Sequence, residues 1–164
     1  MTGKVLITVK LSFEYYLRQD IKDYLFFFDQ NVKVNPTELG GVLIVESMKD
    51  PRQIANLLIN SPISDSVLTS VVPIITEGNY NVLSDLLGHV RDNINHGCRA
   101  FIVRCRLRGS LIGNDECERA VITLVRNFGF HAVYRGGDTD CAIVIEGLGS
   151  WFGIYVGPRS FVKV

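Results

Sequence analysis

The sequence predicts an α+β protein of two domains, and three observations lead to this prediction. Strand-like and helix-like segments alternate along the 164 residues, the first half follows the order βαββαβ, and Glu77-Gly78-Asn79 interrupts the pattern near the middle. Hydrophobic residues make up 47% of the chain, which is enough to bury a sizeable core. We therefore expect a ferredoxin-like domain at residues 1–77 and a second α/β domain at 78–164.

The first domain begins with a strand and an amphipathic helix. Residues 5–9 form a β-branched run, which predicts the strand. Apolar residues then recur at helical spacing from Leu17 to Phe28, and Ser12 stands where an N-cap is expected. The side chains expected on the solvated face of this helix are Glu14, Arg18 and Lys22.

A hairpin, a second helix and a last strand complete the first domain. Short apolar runs at 32–34 and 42–45, separated by turn-forming residues, predict the hairpin. Asp50 followed by Pro51 predicts the start of the helix, and residues 68–75 predict the strand. Both helices are then expected to cover one face of a four-stranded antiparallel sheet.

The second domain opens with an apolar stripe from Val82 to Ile94, which predicts a helix ended by Gly97. An arginine-rich strand is expected next. The remaining predicted elements are a helix over 115–127 and strands at 130–134, 141–146 and 151–156.

Charge is balanced overall but unevenly distributed. The formal net charge is zero, so the whole chain lacks the positive excess of many nucleic-acid-binding domains. Residues 1–77 carry seven basic and nine acidic side chains, whereas residues 78–164 carry ten and eight, and nine of those ten are arginines. Because arginine suits planar, bidentate phosphate recognition, the two halves are expected to do different work.

The most informative segment follows Arg99. In an extended strand, Arg104, Arg106 and Arg108 project on one face, about 6.6 Å apart, while apolar side chains project on the other. This row of guanidinium groups predicts binding of a polyanion. A second interpretation stays open, because a sheet with one solvated face alternates in the same way. The acids that would then neutralise the arginines across strands are Asp138, Asp140 and Glu146.

Further polar groups are expected near this row. Arg119 and Arg126 are seven residues apart and share one helix face, and Arg135 lies on the next strand. Asn114 stands at the head of the helix, where free backbone N–H groups attract anions. The alternative is a solvated helix face on which Glu116 or Glu118 partners an arginine at little energetic gain.

The four cysteines are Cys98, Cys105, Cys117 and Cys141. Because they are irregularly spaced and include no Cys-x-x-Cys pair, we expect reduced, mostly buried thiols in a cytoplasmic protein. The first apolar run is too short for a signal peptide, and no membrane span is predicted.

Neither a metal site nor a cofactor site is predicted. His96 and Cys98 lie close together, but no second ligand pair stands at a recognisable spacing. The glycine-rich stretch 147–153 precedes a strand rather than a helix, so we interpret it as a hairpin turn and not as a dinucleotide loop. A small enzyme with His96 or His131 as general base is kept as an alternative.

Residues 80–156 resemble a THUMP domain. The segments that carry the resemblance are 101–109, 115–127, 129–133, 140–146 and 153–156. The preceding unit looks like the ferredoxin-like domain that precedes THUMP in tRNA-modifying enzymes. The resemblance implies recognition of tRNA, commonly through its acceptor end, while an additional domain performs the chemistry.

Because the chain ends at Val164, soon after the last predicted strand, we expect no room for such a domain. The chain is then most similar to stand-alone THUMP proteins that serve as tRNA-binding adaptors for cytidine acetylation. We therefore expect a non-catalytic adaptor without cofactor that presents tRNA to a separate modification enzyme, such as an acetyltransferase, and a homodimer stays open. A small-molecule-sensing regulatory module is the alternative. The expected RNA-binding residues are Arg104, Arg106, Arg108, Ser110, Asn114, Arg119, Arg126 and Arg135.

Overall fold

The computed structural model describes residues 2–94 and 97–164, so the predicted roles of His96 concern a residue outside the described part. The α+β fold class is confirmed, with two sheets and four α-helices among these residues. The chain divides into two compact units, Met1–Ile74 with Ser160–Val164, and Ile75–Arg159. Among the described helices, none combines the length and the apolar character that a membrane crossing requires.

The first unit has the predicted βαββαβ order. Its elements are β1 (Gly3–Val9), α1 (Glu14–Phe26), β2 (Lys33–Pro36), β3 (Val42–Ser47), α2 (Pro51–Ile59) and β4 (Leu68–Ile74). The sheet order is β2-β3-β1-β4 and every neighbouring pair is antiparallel, as a ferredoxin-like unit requires. Apolar side chains of both helices, including Leu17, Ile21 and Ile54, pack on the sheet in one buried core.

The two predicted helix starts have different outcomes. Asp50 caps α2 as predicted, because its carboxylate accepts a 2.8 Å hydrogen bond from the Arg52 backbone N–H, and Pro51 begins the helix. Ser12 as the cap of α1 is wrong: residues Leu11–Phe13 form a 3₁₀ turn, and Phe13 occupies the cap position without a side-chain hydrogen bond.

The second unit contains β5 (Thr76–Asn79), α3 (Leu83–Asn93), β6 (Ala100–Arg108), α4 (Asn114–Asn127), β7 (His131–Val133), β8 (Cys141–Leu148) and β9 (Trp151–Pro158). Its sheet order is β5-β9-β8-β6-β7, in which β6 is parallel to both of its neighbours. Helices α3 and α4 cover one face, and the core there includes Val90, Phe101 and Val121.

Residues 77–79, where the sequence predicts a break, lie in the edge strand β5, which pairs with β9. Gly78 fits there because a Cβ atom at that position would come within 3.2 Å of the Phe152 ring. At the other end of the chain, Lys163 forms an isolated bridge with Val71 and donates through Nζ to the Leu68 carbonyl at 2.6 Å. The last five residues therefore belong to the first unit.

The prediction of reduced cysteines is wrong. Cys98 forms a disulfide with Cys141, and Cys105 forms one with Cys117. The pairing of β6 with β8 and the packing of α4 on β6 bring the Cα atoms to 5.9 Å and 6.1 Å, which suits disulfides. Spacing along the chain carried no sign of these tertiary contacts. The expectation of a cytoplasmic location loses the support that it took from reduced thiols.

Reduction of the disulfides is expected to lower the free energy of unfolding. For sequence separations of 43 and 12 residues, the chain-entropy relation gives about 4 and about 3 kcal/mol. Denaturant unfolding with and without a phosphine reductant measures the loss, and Cys98→Ala/Cys141→Ala and Cys105→Ala/Cys117→Ala assign it to each bridge. Alkylation of all four cysteines in the native, unreduced protein would show that the bridges are absent.

Asp29 is expected to stabilise the first unit in a pH-dependent way. Its carboxylate accepts from Ser47 Oγ at 2.7 Å and from the Met48 and Asn31 backbone N–H groups at 2.9 Å. The Ser47 hydrogen bond, followed by the two backbone bonds, lowers the pKa of Asp29 below 3.8. Asp29→Asn should therefore cost about 2 kcal/mol at neutral pH.

This cost should disappear in acid. A lowered pKa gives stability that is complete above the ordinary value and is lost as the pH falls through the folded-state value. Denaturant unfolding of wild type and of Asp29→Asn between neutral pH and about pH 2 measures the difference between their free energies of unfolding. A difference that stays constant over that range would contradict the role assigned to Asp29.

Candidate nucleic-acid interface

The predicted arginine row exists on β6. The strand is extended, and Phe101, Val103, Cys105 and Leu107 are buried in the core under α3 and α4. The alternate side chains, Arg104, Arg106 and Arg108, project on the opposite face of the sheet, and each is half-buried. The alternation predicted from the sequence is therefore confirmed, although each arginine is less exposed than a fully solvated strand face would allow.

Buried side chains lie beside the row on the same face. In the parallel register of β8, Val144 stands next to Arg104 and Glu146 next to Arg106, and both are fully buried. Tyr155 of β9 lies beside Val144 and is buried as well. The row consequently runs along the border of a buried area, which holds the aliphatic parts of the arginines in place.

Glu146 neutralises one of the three arginines. Arg108 Nη1 donates to Glu146 Oε2 at 2.6 Å, and Glu146 has no solvent exposure. Burial raises the pKa of Glu146, and the charges of Arg108 and Arg106 oppose this only in part. The second interpretation of the sequence, in which an acid on a neighbouring strand neutralises an arginine, therefore holds for Arg108. Asp140 plays a different role, because it accepts from the Arg99 and Ala100 backbone N–H groups.

Arg104 and Arg106 keep free donors. Among the described residues, neither side chain lies within ion-pair or hydrogen-bond distance of a partner, and Arg104 Nε is buried without an acceptor. An unsatisfied buried donor favours binding of an acceptor from outside the chain. A phosphate oxygen fits this need, because each guanidinium offers a planar set of donors.

The head of α4 is bonded to the outer edge of β6. Strand β7 pairs only with residues 100–102 of β6, so the later amides on that edge lack a strand partner. Two side chains of α4 replace it: Leu107 N donates to Asn114 Oδ1 at 2.7 Å, and Cys105 N donates to Glu118 Oε2 at 3.1 Å. Asn114, predicted to bind RNA, therefore uses its side-chain oxygen to fix the strand.

Two of the other predicted residues, Arg119 and Arg135, form a separate group. Because Cys117 and Val121 of α4 pack in the core, α4 lies on the sheet face opposite the arginine row. Arg119 and Arg135 line a cleft of 370 Å³ together with Tyr134, Asp115 and Glu118. The structure thus brings these two arginines together but not with the row on β6.

Two predicted residues have bonds within the protein. Arg126 Nη2 donates to the Ala132 carbonyl at 2.9 Å, which ties the end of α4 to β7. Ser110 Oγ accepts from the Ile112 backbone N–H at 3.1 Å in the loop after β6. In the same loop Leu111 is fully exposed and Gly109 has a φ of +70°. The loop therefore presents an apolar tip next to the arginine row.

Two histidines lie within the described residues. The His89 ring packs 4.9 Å from the Phe152 ring, and the exposed His131 lines a cleft of 550 Å³ with Arg99, Asp140 and Arg159. Over residues 2–94 and 97–164, no group of three or more His, Cys, Asp or Glu side chains is arranged to hold a metal ion. The general-base role considered for His131 stays a prediction.

Sequence reasoning missed a second basic surface, which lies in the first unit. Arg18 and Lys22 of α1 line a cleft with Lys33 of β2 and two tyrosines, Tyr15 and Tyr16. The positions 15, 18 and 22 follow an i, i+3, i+7 spacing, so a stripe of tyrosine, arginine and lysine was visible in the sequence. The contribution of β2 was not, because it depends on how α1 packs on the sheet.

Several solved structures are similar to most of the chain. PH1313 from Pyrococcus horikoshii Ot3 matches with a TM-score of 0.66 and 17% identity, over 94% of this chain and 54% of PH1313. TrmN from Thermus thermophilus matches with a TM-score of 0.60 and 12% identity, over 94% of this chain and 45% of TrmN. A 4-thiouridine synthetase in complex with RNA and ATP matches with a TM-score of 0.54 and 11% identity, over 96% of this chain and 41% of the synthetase.

No family model and no curated protein matches the chain. At these identities, the likeness to solved structures shows the fold alone, and it supports the THUMP-like fold implied by the sequence resemblance. The chain spans between 41% and 54% of the three proteins named above.

Glu146→Gln tests the electrostatics of the arginine row. A raised carboxyl pKa gives stability that is complete below the ordinary value of 4.5 and is lost as the pH rises through the folded-state value. At a pH above the folded-state pKa of Glu146, the free energy of unfolding of the variant should exceed that of wild type by on the order of 1 kcal/mol. Below pH 4.5 the two proteins should be equally stable.

Denaturant unfolding from about pH 4 to about pH 8 measures this difference. Glu116→Gln changes an exposed carboxylate and is the control, whose difference in free energy of unfolding from wild type should not change with pH. If the variant instead loses stability relative to wild type as the pH rises, the attraction between Glu146 and Arg108 outweighs the cost of burial.

Proposed function

We propose that this chain is an RNA-binding unit in tRNA modification and that the chemistry belongs to another domain or protein of the modification system. One observation carries the proposal: Arg104 and Arg106 project side by side from one strand with donors that have no partner among the described residues. The solved RNA complex of a 4-thiouridine synthetase with the same fold supports RNA as the polyanion.

Rigidity makes this pair of arginines an effective phosphate site. Strand β6 is paired with β8 over eight residues and is fixed on its other edge by β7, Asn114 and Glu118. Guanidinium groups that are held before binding lose less conformational entropy when a phosphate arrives. Because the chain has no net charge, binding should rest on these few local contacts.

The finer assignment is an adaptor that presents tRNA to a separate enzyme, and the sequence resemblance favours a cytidine acetyltransferase as that enzyme. An adaptor without its own chemistry should leave one modification missing when the chain is absent from cells. Mass-spectrometric comparison of tRNA nucleosides from cells with and without the chain identifies that modification. An unchanged nucleoside profile would contradict the assignment.

RNA binding should depend on salt and on the two free arginines. If three to six phosphates of a single-stranded end are neutralised, the logarithm of the affinity falls with the logarithm of the salt concentration at a slope of about −2 to −4. Arg104→Gln/Arg106→Gln should make the slope less negative by about 1.4 and weaken binding by at least about tenfold. Titration of labelled tRNA at several salt concentrations measures both.

Arg91→Gln is the matched control, since Arg91 is an exposed arginine of α3 that pairs with Asp92. It should bind like wild type, and circular dichroism should show that all variants are folded. Equal weakening in the control and in the double variant, or wild-type binding that does not respond to salt, would contradict the proposed site.

A further inference from the structure

A cleft of 510 Å³ in the first unit combines cations with exposed aromatic rings. Helix α1 contributes Tyr15, Arg18 and Lys22, and the edge strand β2 contributes Lys33 and Asn35. The cleft lies entirely within the first unit, whereas the arginine row lies in the second. It is therefore a separate surface, built from residues that the proposed function does not use.

The cations of this cleft form no ion pair among the described residues, although Glu46 stands opposite Lys33 in the register of β2 and β3. Among the described residues, no acidic side chain lies within 4.0 Å of the charged groups of Arg18, Lys22 or Lys33, although Asp20 lines the cleft. Arg18 Nε is buried without a hydrogen-bond partner. Three cations around one concave surface, one of them with an unsatisfied buried donor, favour an anionic ligand with strong acceptor oxygens.

The tyrosines add a second kind of contact. Tyr15 is 79% and Tyr16 67% exposed, and their rings stand nearly perpendicular with centroids 5.5 Å apart. Exposed rings interleaved with cations are the composition of surfaces that bind single-stranded nucleic acid, in which bases stack and the backbone follows the positive charge. Asn35 offers both a donor and an acceptor to a base edge.

The cleft has room for a single nucleotide. Its volume of 510 Å³ is in the range of pockets that accept small ligands. The bases of a duplex are stacked on one another, so a tyrosine ring cannot stack on their faces. An unpaired nucleotide has both a free face and an accessible phosphate.

We infer that the cleft between α1 and β2 is a second RNA-binding site, which binds an unpaired nucleotide by stacking on Tyr15 and by phosphate contacts to Arg18, Lys22 and Lys33. The inference rests on the proposed function, because it takes RNA as the ligand of the chain. It adds a contact that is independent of Arg104 and Arg106.

The test uses the full chain and a labelled single-stranded oligouridine of about eight nucleotides, a length that one such site can span. Lys22→Glu/Lys33→Glu should weaken binding by at least about tenfold and make the salt slope less negative by about 1.4. Tyr15→Ala, which removes an exposed ring and no core contact, should weaken binding by about fivefold or more.

Matched controls come from the same unit. Lys49→Glu reverses an exposed lysine outside the cleft, and Phe27→Ala removes a ring that is 89% exposed at the end of α1. Both should bind like wild type. A duplex of the same length should bind more weakly than the single strand and should be insensitive to Tyr15→Ala.

The outcomes separate this inference from the proposed function. If wild type binds RNA and the cleft variants match their controls, the inference is wrong while the arginine row keeps its role. A loss of duplex binding in Tyr15→Ala that is as large as its loss of single-strand binding also overturns it. If the cleft variants lose binding and Arg104→Gln/Arg106→Gln does not, the inference holds and the arginine row is wrong. No RNA binding by wild type at low salt overturns both.

Discussion

The fixation of strand β6 on both of its edges is the constraint on which the second unit depends. On one edge β8 pairs with it in parallel from Phe101 to Arg108, and on the other β7 covers only its beginning. Two α4 side chains and the Cys105–Cys117 disulfide fix the remainder. Because backbone and core fix the strand, the direction of its alternate side chains is fixed as well. The row of arginines on one face of the sheet thus results from the backbone pairing and core packing of β6.

The local charge of this surface is set by a single buried acid. Glu146 lies in the same row of side chains as Arg106 and forms its ion pair with Arg108. Taking a carboxylate out of water costs more than one partner returns, which is why burial raises the pKa of Glu146. The other two guanidinium groups keep their charge without a partner among the described residues. A chain with no net charge therefore still presents a concentrated positive site.

Local patterns in the sequence predicted the parts of the structure that local forces determine. The βαββαβ order, the Asp50 cap and the alternation along β6 follow from turn chemistry, helix capping and the two-residue period of a strand. Features that depend on tertiary contact were not predictable in this way. The disulfides, the edge bonds of Asn114 and the carbonyl contact of Arg126 arise only once α4 is packed on the sheet.

The central claim is that the unpaired guanidinium groups of β6 contact RNA. Arginine side-chain N–H resonances, followed by NMR during a titration with tRNA, report on each guanidinium separately. We expect the Nε–H signals of Arg104 and Arg106 to shift on binding, while those of Arg91 and of the ion-paired Arg108 stay in place. Binding of tRNA that leaves the signals of Arg104 and Arg106 unchanged would contradict the account.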